Sequence, residues 1–557
     1  MLASRGVTIT NVPVDQDAGP AAAWFGGALA LLCGAIVRFV PFVGTDFPLN
    51  DGGLFATMIQ DLVDNRLLLP ASTTYNGLDI PFAYPPLAIY VAAVANQAFG
   101  FEILDVLRGL PVVLSLATVV AVYWLGRGIL GSRTGGILAA LAFALLPSSY
   151  QWMITGGGIT RALGFLLAIV ALGIGWRLLR NPVHRWWTAV MLGLVGGLAA
   201  LAHPQAAVFL ATSLLVFLPW GVNWRHAATR VAVSGVIGLA VLATWLVPVV
   251  AVHGAEPLIS AIRSGNPGSE GLAQLFSLRF TDLIIFDLLT IAAVVGLILA
   301  VRKREVHEQH PGPDRRRQPG RFHRRRALML PIWLVVIWVL DSRAGFAFAM
   351  VPMALLATTA LLALDTTWLP AGDTRPFAHV RRYPLTAAVM LAAIVGLVFA
   401  NYFSGIRPTS PLHALNSEQR QAIVWTGENT PPDAVLAVVT GSGAWEIDAV
   451  SEWFPAIANR RSAGTVQGTE WLGNAAWQEQ LDAYSGLQDC ARDVLPCVLG
   501  WAGRHELSVT HVFLPKSQLH GPTSPVDCCP APRHSVELVP GSRVVYDGPG
   551  ATVIELP

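Results

Sequence analysis

The run AAAWFGGALALLCGAIVRFVPFV, Ala21 to Val43, holds a single charge, Arg38, in twenty-three residues. About 20 consecutive apolar residues suffice to cross a bilayer as a helix, and this stretch exceeds that. The segment before it is polar and is followed by no small-residue cleavage site, so the run reads as a signal anchor that stays in the chain. Ten further runs follow: Leu107–Leu125, Gly135–Ser149, Thr160–Trp176, Thr188–Ala202, Ala206–Trp220, Val231–Val252, Leu283–Val301, Ala327–Leu340, Ala344–Leu364 and Leu385–Tyr402. Composition agrees: of 557 residues, 54% are hydrophobic and 13% charged, with a mean hydropathy of +0.54. Soluble domains carry about 25% charge, so a soluble enzyme is excluded. The fold class predicted is a polytopic α-helical membrane protein with about eleven spans.

Basic residues set the expected sidedness. Arg127 and Arg133 flank one short loop, Arg177, Arg180 and Arg185 another, and Arg225 and Arg230 a third. Ten Lys and Arg fall between Arg302 and Arg326, and Arg375, Arg381 and Arg382 close the series. With residues 1–20 in the cytoplasm, every one of these loops is cytoplasmic, as the positive-inside bias requires. The apolar stretch Phe82–Gly100 breaks the alternation if it spans. Beginning Tyr84-Pro85-Pro86, it reads as a re-entrant or interfacial helix, with a full span as the alternative. The membrane domain then covers 21–403, with a large external loop at 44–106. Residues 404–557 form an extracytoplasmic region large enough to be a domain.

That tail reads as mixed α/β. Ala434–Thr440, Leu507–Leu514, Arg543–Tyr546 and Ala551–Leu556 have strand character, and Ser417–Trp425 and Asn474–Tyr484 helical character. Four of the five cysteines, Cys490, Cys497, Cys528 and Cys529, lie here, and an even number in an oxidising compartment reads as two disulfides. The adjacent Cys528 and Cys529 are expected to pair with Cys490 and Cys497 rather than with each other. Zinc is the rival reading, disfavoured because six residues separate Cys490 from Cys497, where two to four are usual.

Acids are nearly missing from the spans but crowd the first external loop: Asp46, Asp51, Asp61, Asp64, Asp79, Glu102 and Asp105. Ion transit would place them at mid-membrane, so chemistry at the outer surface is favoured. Nothing in the charge distribution points to nucleic acid.

Four short motifs occur in order. Asp51-Gly52 follows the first helix, then come Tyr84-Pro-Pro-Leu, Leu107-Arg-Gly-Leu-Pro111, and Tyr123-Trp-Leu-Gly-Arg127 with Gly131-Ser-Arg133. In this order and topology the sequence resembles the GT-C superfamily of membrane glycosyltransferases, which includes the protein O-mannosyltransferases and the aminoarabinose transferases. Residues 20 to 220 carry most of the resemblance, and the tail's Val545-Tyr-Asp-Gly and Val553-Ile-Glu-Leu556 look like the closing hairpin of such proteins. The resemblance implies an enzyme of the cell membrane; a prokaryotic envelope is expected because the Glu-Leu-Pro end carries no retrieval signal. The enzyme would move a sugar from a polyprenyl-phosphate donor to an acceptor on the outer face, inverting the anomeric centre.

On that resemblance Asp51 is the catalytic base. The family commonly has Asp-Glu where this chain has Asp51-Gly52, which leaves Asp46 as the substitute base. A helix N-cap is the structural alternative for Asp51. The lipid phosphate is expected at Arg343, in Asp341-Ser-Arg-Ala-Gly, with Arg161 second. Tyr84 and His203 are candidate substrate contacts. The oligosaccharyltransferase branch carries a metal-binding acid in the second external loop; Ser148–Thr160 holds no Asp or Glu here, so neither a metal nor another cofactor is expected. In Glu452-Trp453 and Gln467-Gly-Thr-Glu470-Trp471, Trp453 and Trp471 stand beside acids, a pattern suited to sugar rings, although Trp445, Trp453, Trp471 and Trp477 serve equally as a domain core. A non-catalytic or transport protein on the same scaffold is the competing reading, and an adhesion or sensory protein would rest on the tail alone.

Overall fold

The architecture comes from a computed structural model describing residues 20–43, 45–180, 186–264, 284–308, 328–340, 347–368, 388–389, 391–396, 399, 414–516, 518–521, 524–527 and 539–557. Helix α1 (Pro20–Phe39) runs through a 3-10 turn at Val40–Phe42 toward α2 (Gly53–Asp64). A two-rung hairpin, β1 (Ser72–Thr73) and β2 (Ile80–Pro81), precedes α3 (Leu87–Phe99). Then come α4 (Ile103–Leu130), α5 (Arg133–Leu145), α6 (Gly158–Arg180), α7 (Trp186–Ala202), α8 (Pro204–Phe217), α9 (Trp224–His253) and α10 (Glu256–Arg263). After these lie α11 (Ile284–Glu308), α12 (Met329–Leu340) and α13 (Met350–Trp368).

Among the described residues four helices are long and apolar enough to cross a membrane: Ala23–Phe42, α4, α6 and α9. Helix α5 with its continuation Pro147–Met153 makes a fifth, bent by 92°. About eleven runs were expected, of which Gly135–Ser149 and Ala327–Leu340 are already short for a full span. Among the described residues, α7, α8, α12 and the apolar parts of α11 and α13 run only 10–17 residues; half of Leu385–Tyr402 falls outside the described residues. The bend after α5 follows from Pro147: the residue before a proline is pushed out of the helical region, and Leu146 is extended at φ −72°, ψ 117°. Helix α3 is thirteen residues, about 20 Å at 1.5 Å per residue against a hydrocarbon core of roughly 30 Å. It is shorter than that core, and it buries Ala88, Ile89, Ala92 and Ala93.

Arg38 locks the first helices together. Wholly buried, it donates from Nε to Ser115 Oγ at 2.8 Å, from Nη1 to the carbonyls of Gly34 (3.1 Å) and Ala144 (2.8 Å), and from Nη2 to Ser149 Oγ at 3.5 Å. The Tyr150 ring lies 4.6 Å from the guanidinium carbon. A buried charge is tolerable only when its donors are satisfied, and here carbonyl dipoles and a π face do the work. One side chain thereby joins α1, α4, α5 and the turn leading to α6.

The C-terminal part is α/β. A five-stranded sheet has the order β4-β3-β5-β9-β8, with β3 (Val435–Val438), β4 (Arg461–Ser462), β5 (His511–Pro515), β8 (Arg543–Asp547) and β9 (Ala551–Glu555). Strand β3 is parallel to β4 and β5, while β9 is antiparallel to β5 and β8. A separate hairpin, β6 (Gln518–Gly521) and β7 (Ser524–Asp527), stands outside this sheet. The helices are α14 (Ser417–Asn429), α15 (Ala449–Ala458), α16 (Asn474–Gln488) and α17 (Val494–Arg504). All four strands and both helices read from the sequence occur within a few residues of their expected places. Helices α15 and α17 were not anticipated; proline inside each (Pro455, Leu495-Pro496) obscures the helical signal.

The expected cysteine pairing is corrected. Cys490 is bonded to Cys497, because the 3-10 turn Asp489–Arg492 and the start of α17 fold the chain back on itself and bring the two Cα atoms to 5.3 Å. Cys528 and Cys529 lie outside the described residues. Peptide mapping of the unreduced chain is expected to recover Cys490 joined to Cys497. Closing so short a loop contributes about 2.5 kcal/mol in the chain-entropy account, so Cys490→Ser should lower the thermal midpoint measurably, and recovery of a Cys490–Cys528 peptide would contradict the assignment.

Candidate functional site

Three chain segments meet where α2 begins. Residues Leu49–Gly53 run beside the loop Thr155–Thr160, with Gly156 N–H donating to Leu49 O at 2.9 Å. The approach requires glycine. A Cβ on Gly156 would collide with the backbone oxygen of Asp51, and one on Gly157 would stand 2.6 Å from Asp51 Oδ2. In return, Gly157 N–H donates to both Asp51 O and Asp51 Oδ1, each at 3.1 Å.

The second oxygen of Asp51 faces Arg161 in the first turn of α6. Arg161 Nη2 reaches Asp51 Oδ2 at 3.2 Å and Thr155 Oγ1 at 2.7 Å, while Nε donates to Trp152 O at 3.0 Å. Arg161 Nη1 makes no hydrogen bond to any described residue. Side-chain exposure is 15% for Asp51 and 21% for Arg161, so both remain reachable from outside. Each Asp51 oxygen holds one donor and keeps lone-pair capacity for another.

The C-terminal part contributes the third segment, α15. Glu452 Oε1 accepts from Gly52 N–H at 2.9 Å, and the amides of Gly53 and Leu54 also favour its charged form. Glu452, not Asp51, therefore occupies the N-terminus of α2, where anionic groups are welcome. Burial, reinforced by the neighbouring Asp51 charge, nonetheless pushes the Glu452 carboxyl up to about 8. Next to it Trp453 is fully buried, donating from Nε1 to Asn50 O at 2.7 Å, with its ring edge-on to Phe47 at 4.7 Å. Trp453 is a clamp between two segments, and its faces are not open to a sugar.

On the other side Tyr84 joins the cluster. Its hydroxyl lies 3.1 Å from Thr160 Oγ1 and 3.3 Å from His203 Nδ1, and its ring meets Phe55 at 5.0 Å and Trp471 at 5.6 Å, edge to face. His203 Nε2 lies 3.2 Å from Gln205 Oε1. Burial, helped by the nearby Arg161 charge, lowers His203 to about 4, so the ring is neutral at pH 7. The consistent pattern has Nε2–H donating to Gln205 and Nδ1 accepting from Tyr84. Burial also raises Tyr84, which stays a phenol, and raises Glu470, next to Trp471, to about 7.

Asp51, Arg161, Tyr84, His203 and Trp471 thus form one contiguous cluster. Asp46 stands apart: it pairs with Arg420 at 2.5 Å, 74% exposed, beside a cavity of about 590 Å³ also lined by Arg108, Asn416 and Ser417. Arg343 lies outside the described residues. Glu452 as a helix cap and the Gly157 amide were not read from the sequence, although the Gly156-Gly157-Gly158 triplet beside Arg161 was their available signal. Among the described residues no three His, Cys, Asp or Glu side chains converge as a metal site would need.

With this geometry in view, comparisons with known proteins point one way. Residues 83–248 match the family described as Dolichyl-phosphate-mannose-protein mannosyltransferase. The fold is similar to that of the archaeal oligosaccharyltransferase AglB from Archaeoglobus fulgidus, in complex with an inhibitory peptide and a dolichol-phosphate (TM-score 0.55, 16% identity, 88% of this chain and 69% of that one). It is also similar to ArnT from Cupriavidus metallidurans bound to undecaprenyl phosphate (TM-score 0.53, 15% identity, 97% and 98%). The mycobacterial arabinofuranosyltransferase AftD matches at TM-score 0.54 and 14% identity over 97% of this chain, which spans 42% of AftD's length. A search of curated proteins returned no match.

Because Glu452 binds its proton more tightly in the folded chain than the usual 4.5 of an exposed glutamate, the folded state holds the extra proton between about 4.5 and about 8. Its contribution is full below that window and is lost as pH rises through it. The thermal midpoint of Glu452→Gln should therefore fall less between pH 5 and pH 8 than that of the unaltered chain. Parallel curves would remove Glu452 from the pH dependence.

Proposed function

We propose that this chain, which carries the GT-C fold of membrane glycosyltransferases, transfers a sugar from a polyprenyl-phosphate donor to an acceptor on the outer face of a cell membrane. The single observation that carries the reading is the Asp51–Arg161 pair, a reachable carboxylate and a guanidinium with one nitrogen to spare. Support also comes from the lipid phosphates named with two structural relatives, dolichol-phosphate and undecaprenyl phosphate.

Asp51 accepts the proton of the acceptor hydroxyl as that oxygen attacks the anomeric carbon. The new carbon–oxygen bond forms on the face opposite the phosphate, the bond to the phosphate oxygen breaks, and its electron pair leaves with the polyprenyl phosphate. A single displacement of this kind inverts the centre. Arg161, through Nη1, meets the charge that develops on the leaving phosphate while Nη2 keeps Asp51 aimed; Arg343 is the second candidate for that phosphate. Positive charge already in place where negative charge develops is worth more than charge that must reorganise. No divalent metal is required in this scheme, since the guanidinium fills the electrostatic role and the Ser148–Thr160 loop has no carboxylate to hold one. Tyr84, His203 and Trp471 line the sugar side.

Sidedness belongs to the same proposal. Taking the Arg127 and Arg133 turn as cytoplasmic by the positive-inside bias, we assign the Asp51 cluster and residues 404–557 to the extracytoplasmic side and residues 1–20 to the cytoplasm. Residues 21–403 act as the membrane domain.

Lipid extracts of a strain lacking the gene should accumulate a polyprenyl-phosphate sugar, and the unaltered gene should clear it. Asp51→Asn, present at normal abundance, should leave it in place, in keeping with the roughly 100-fold or greater loss typical of removing a general base. Clearance by Asp51→Asn equal to that of the unaltered chain would give the carboxylate a structural role and favour a non-catalytic protein of the envelope.

A further inference from the structure

The turn Thr469–Trp471 is a 3-10 helix whose tip packs against Tyr84. Two polar atoms on it are buried without a hydrogen-bond partner: Glu470 Oε2 and Trp471 Nε1. Buried polar atoms are nearly always paired, and leaving one unmet costs about 1–3 kcal/mol. Two on adjacent residues in one turn form a pattern. The indole N–H is close enough to the Glu470 carboxyl to favour its charged form, yet does not reach hydrogen-bond geometry with it. Trp471 is itself 7% exposed, so its nitrogen is held in place by packing.

One is a donor and the other, as carboxylate, an acceptor. The group that satisfies both at once is a hydroxyl, which accepts one hydrogen bond and donates another. Water does this too, but the position is selective: the same turn touches Tyr84, whose hydroxyl reaches Thr160 and His203, and Thr160 adjoins Arg161.

We propose that Glu470 and Trp471 form a sugar-hydroxyl subsite of the Asp51 cluster, with Trp471 Nε1–H donating to a ring hydroxyl and Glu470 Oε2 accepting from it. This deepens the glycosyl-transfer reading and rests on it. The pair discriminates among sugars, because a site built to hydrogen-bond a hydroxyl strongly rejects an analogue lacking it. The chemistry recognised is a pyranose or furanose hydroxyl, whether on the lipid-linked donor or on the acceptor glycan.

The test uses the full-length chain in nanodiscs and three probes: a short-chain polyprenyl monophosphate, its mannosyl and arabinofuranosyl esters, and methyl mannoside and methyl arabinofuranoside. Glu470→Gln and Trp471→Phe keep shape and packing, and their thermal midpoints report whether the fold is intact. Both variants should bind polyprenyl monophosphate within twofold of the unaltered chain, and at least one sugar-bearing probe about tenfold or more weakly. Weakening confined to the lipid esters assigns the subsite to the donor sugar; weakening of the free glycosides assigns it to the acceptor. Unchanged sugar affinity in both variants, or equal weakening toward the sugar-free lipid, overturns the subsite and leaves the turn hydrated. If the unaltered chain binds no polyprenyl phosphate at all, the functional reading fails instead, and the subsite is judged on the free glycosides alone; none bound overturns it too.

Discussion

A carboxylate set against a backbone amide and a guanidinium, Asp51 against Gly157 and Arg161, is the contact on which the outer end of this protein is organised. It works only because two glycines let the loop before α6 press against the loop before α2. Arg38 fixes the same region from below, gathering α1, α4, α5 and the turn at Ser149 around one buried cation. The bundle thus holds two arginines with opposite tasks. Arg38 is sealed with each of its three nitrogens bonded, and Arg161 is partly open with a nitrogen left over.

The C-terminal α/β part reaches the cluster by two fingers. Helix α15 brings Glu452 to the start of α2 and Trp453 to Asn50, and the Thr469–Trp471 turn closes over Tyr84. Burial and the Asp51 charge together push the Glu452 carboxyl well above the usual glutamate value. A neutral His203 and a phenolic Tyr84 add polarity without further charge. The site therefore concentrates its electrostatics in a single ion pair, as suits a reaction in which one proton moves and one phosphate leaves.

Much of this was legible in the chain. The apolar run at Ala21–Val43, the shortness of the helix within Phe82–Gly100 and the strand runs near Leu436, Phe513, Val544 and Val553 follow from periodicity and length. Asp51, Arg161, Tyr84, His203 and Trp471, chosen from motifs spread over more than 400 residues, come together in space. Harder to read was anything set by long-range packing. Trp453 beside an acid looks like a sugar platform in one dimension and is a wedge in three. Asp46 stands as a substitute for Asp51 until Arg420, from α14, is seen to pair with it elsewhere. The Cys490–Cys497 bond depends on a local turn that spacing does not reveal, and the number of full spans depends on where short apolar helices stop.

The most direct test of the central claim is a cryo-EM map of the chain in nanodiscs with a non-hydrolysable phosphonate analogue of a polyprenyl-phosphate sugar. The account predicts the phosphonate within hydrogen-bond reach of Arg161 or Arg343 and the anomeric carbon open to attack from the side of Asp51. Density for the analogue at the opposite end of the bundle, near Arg127 and Arg133, with the Asp51–Arg161 pair undisturbed, would contradict it.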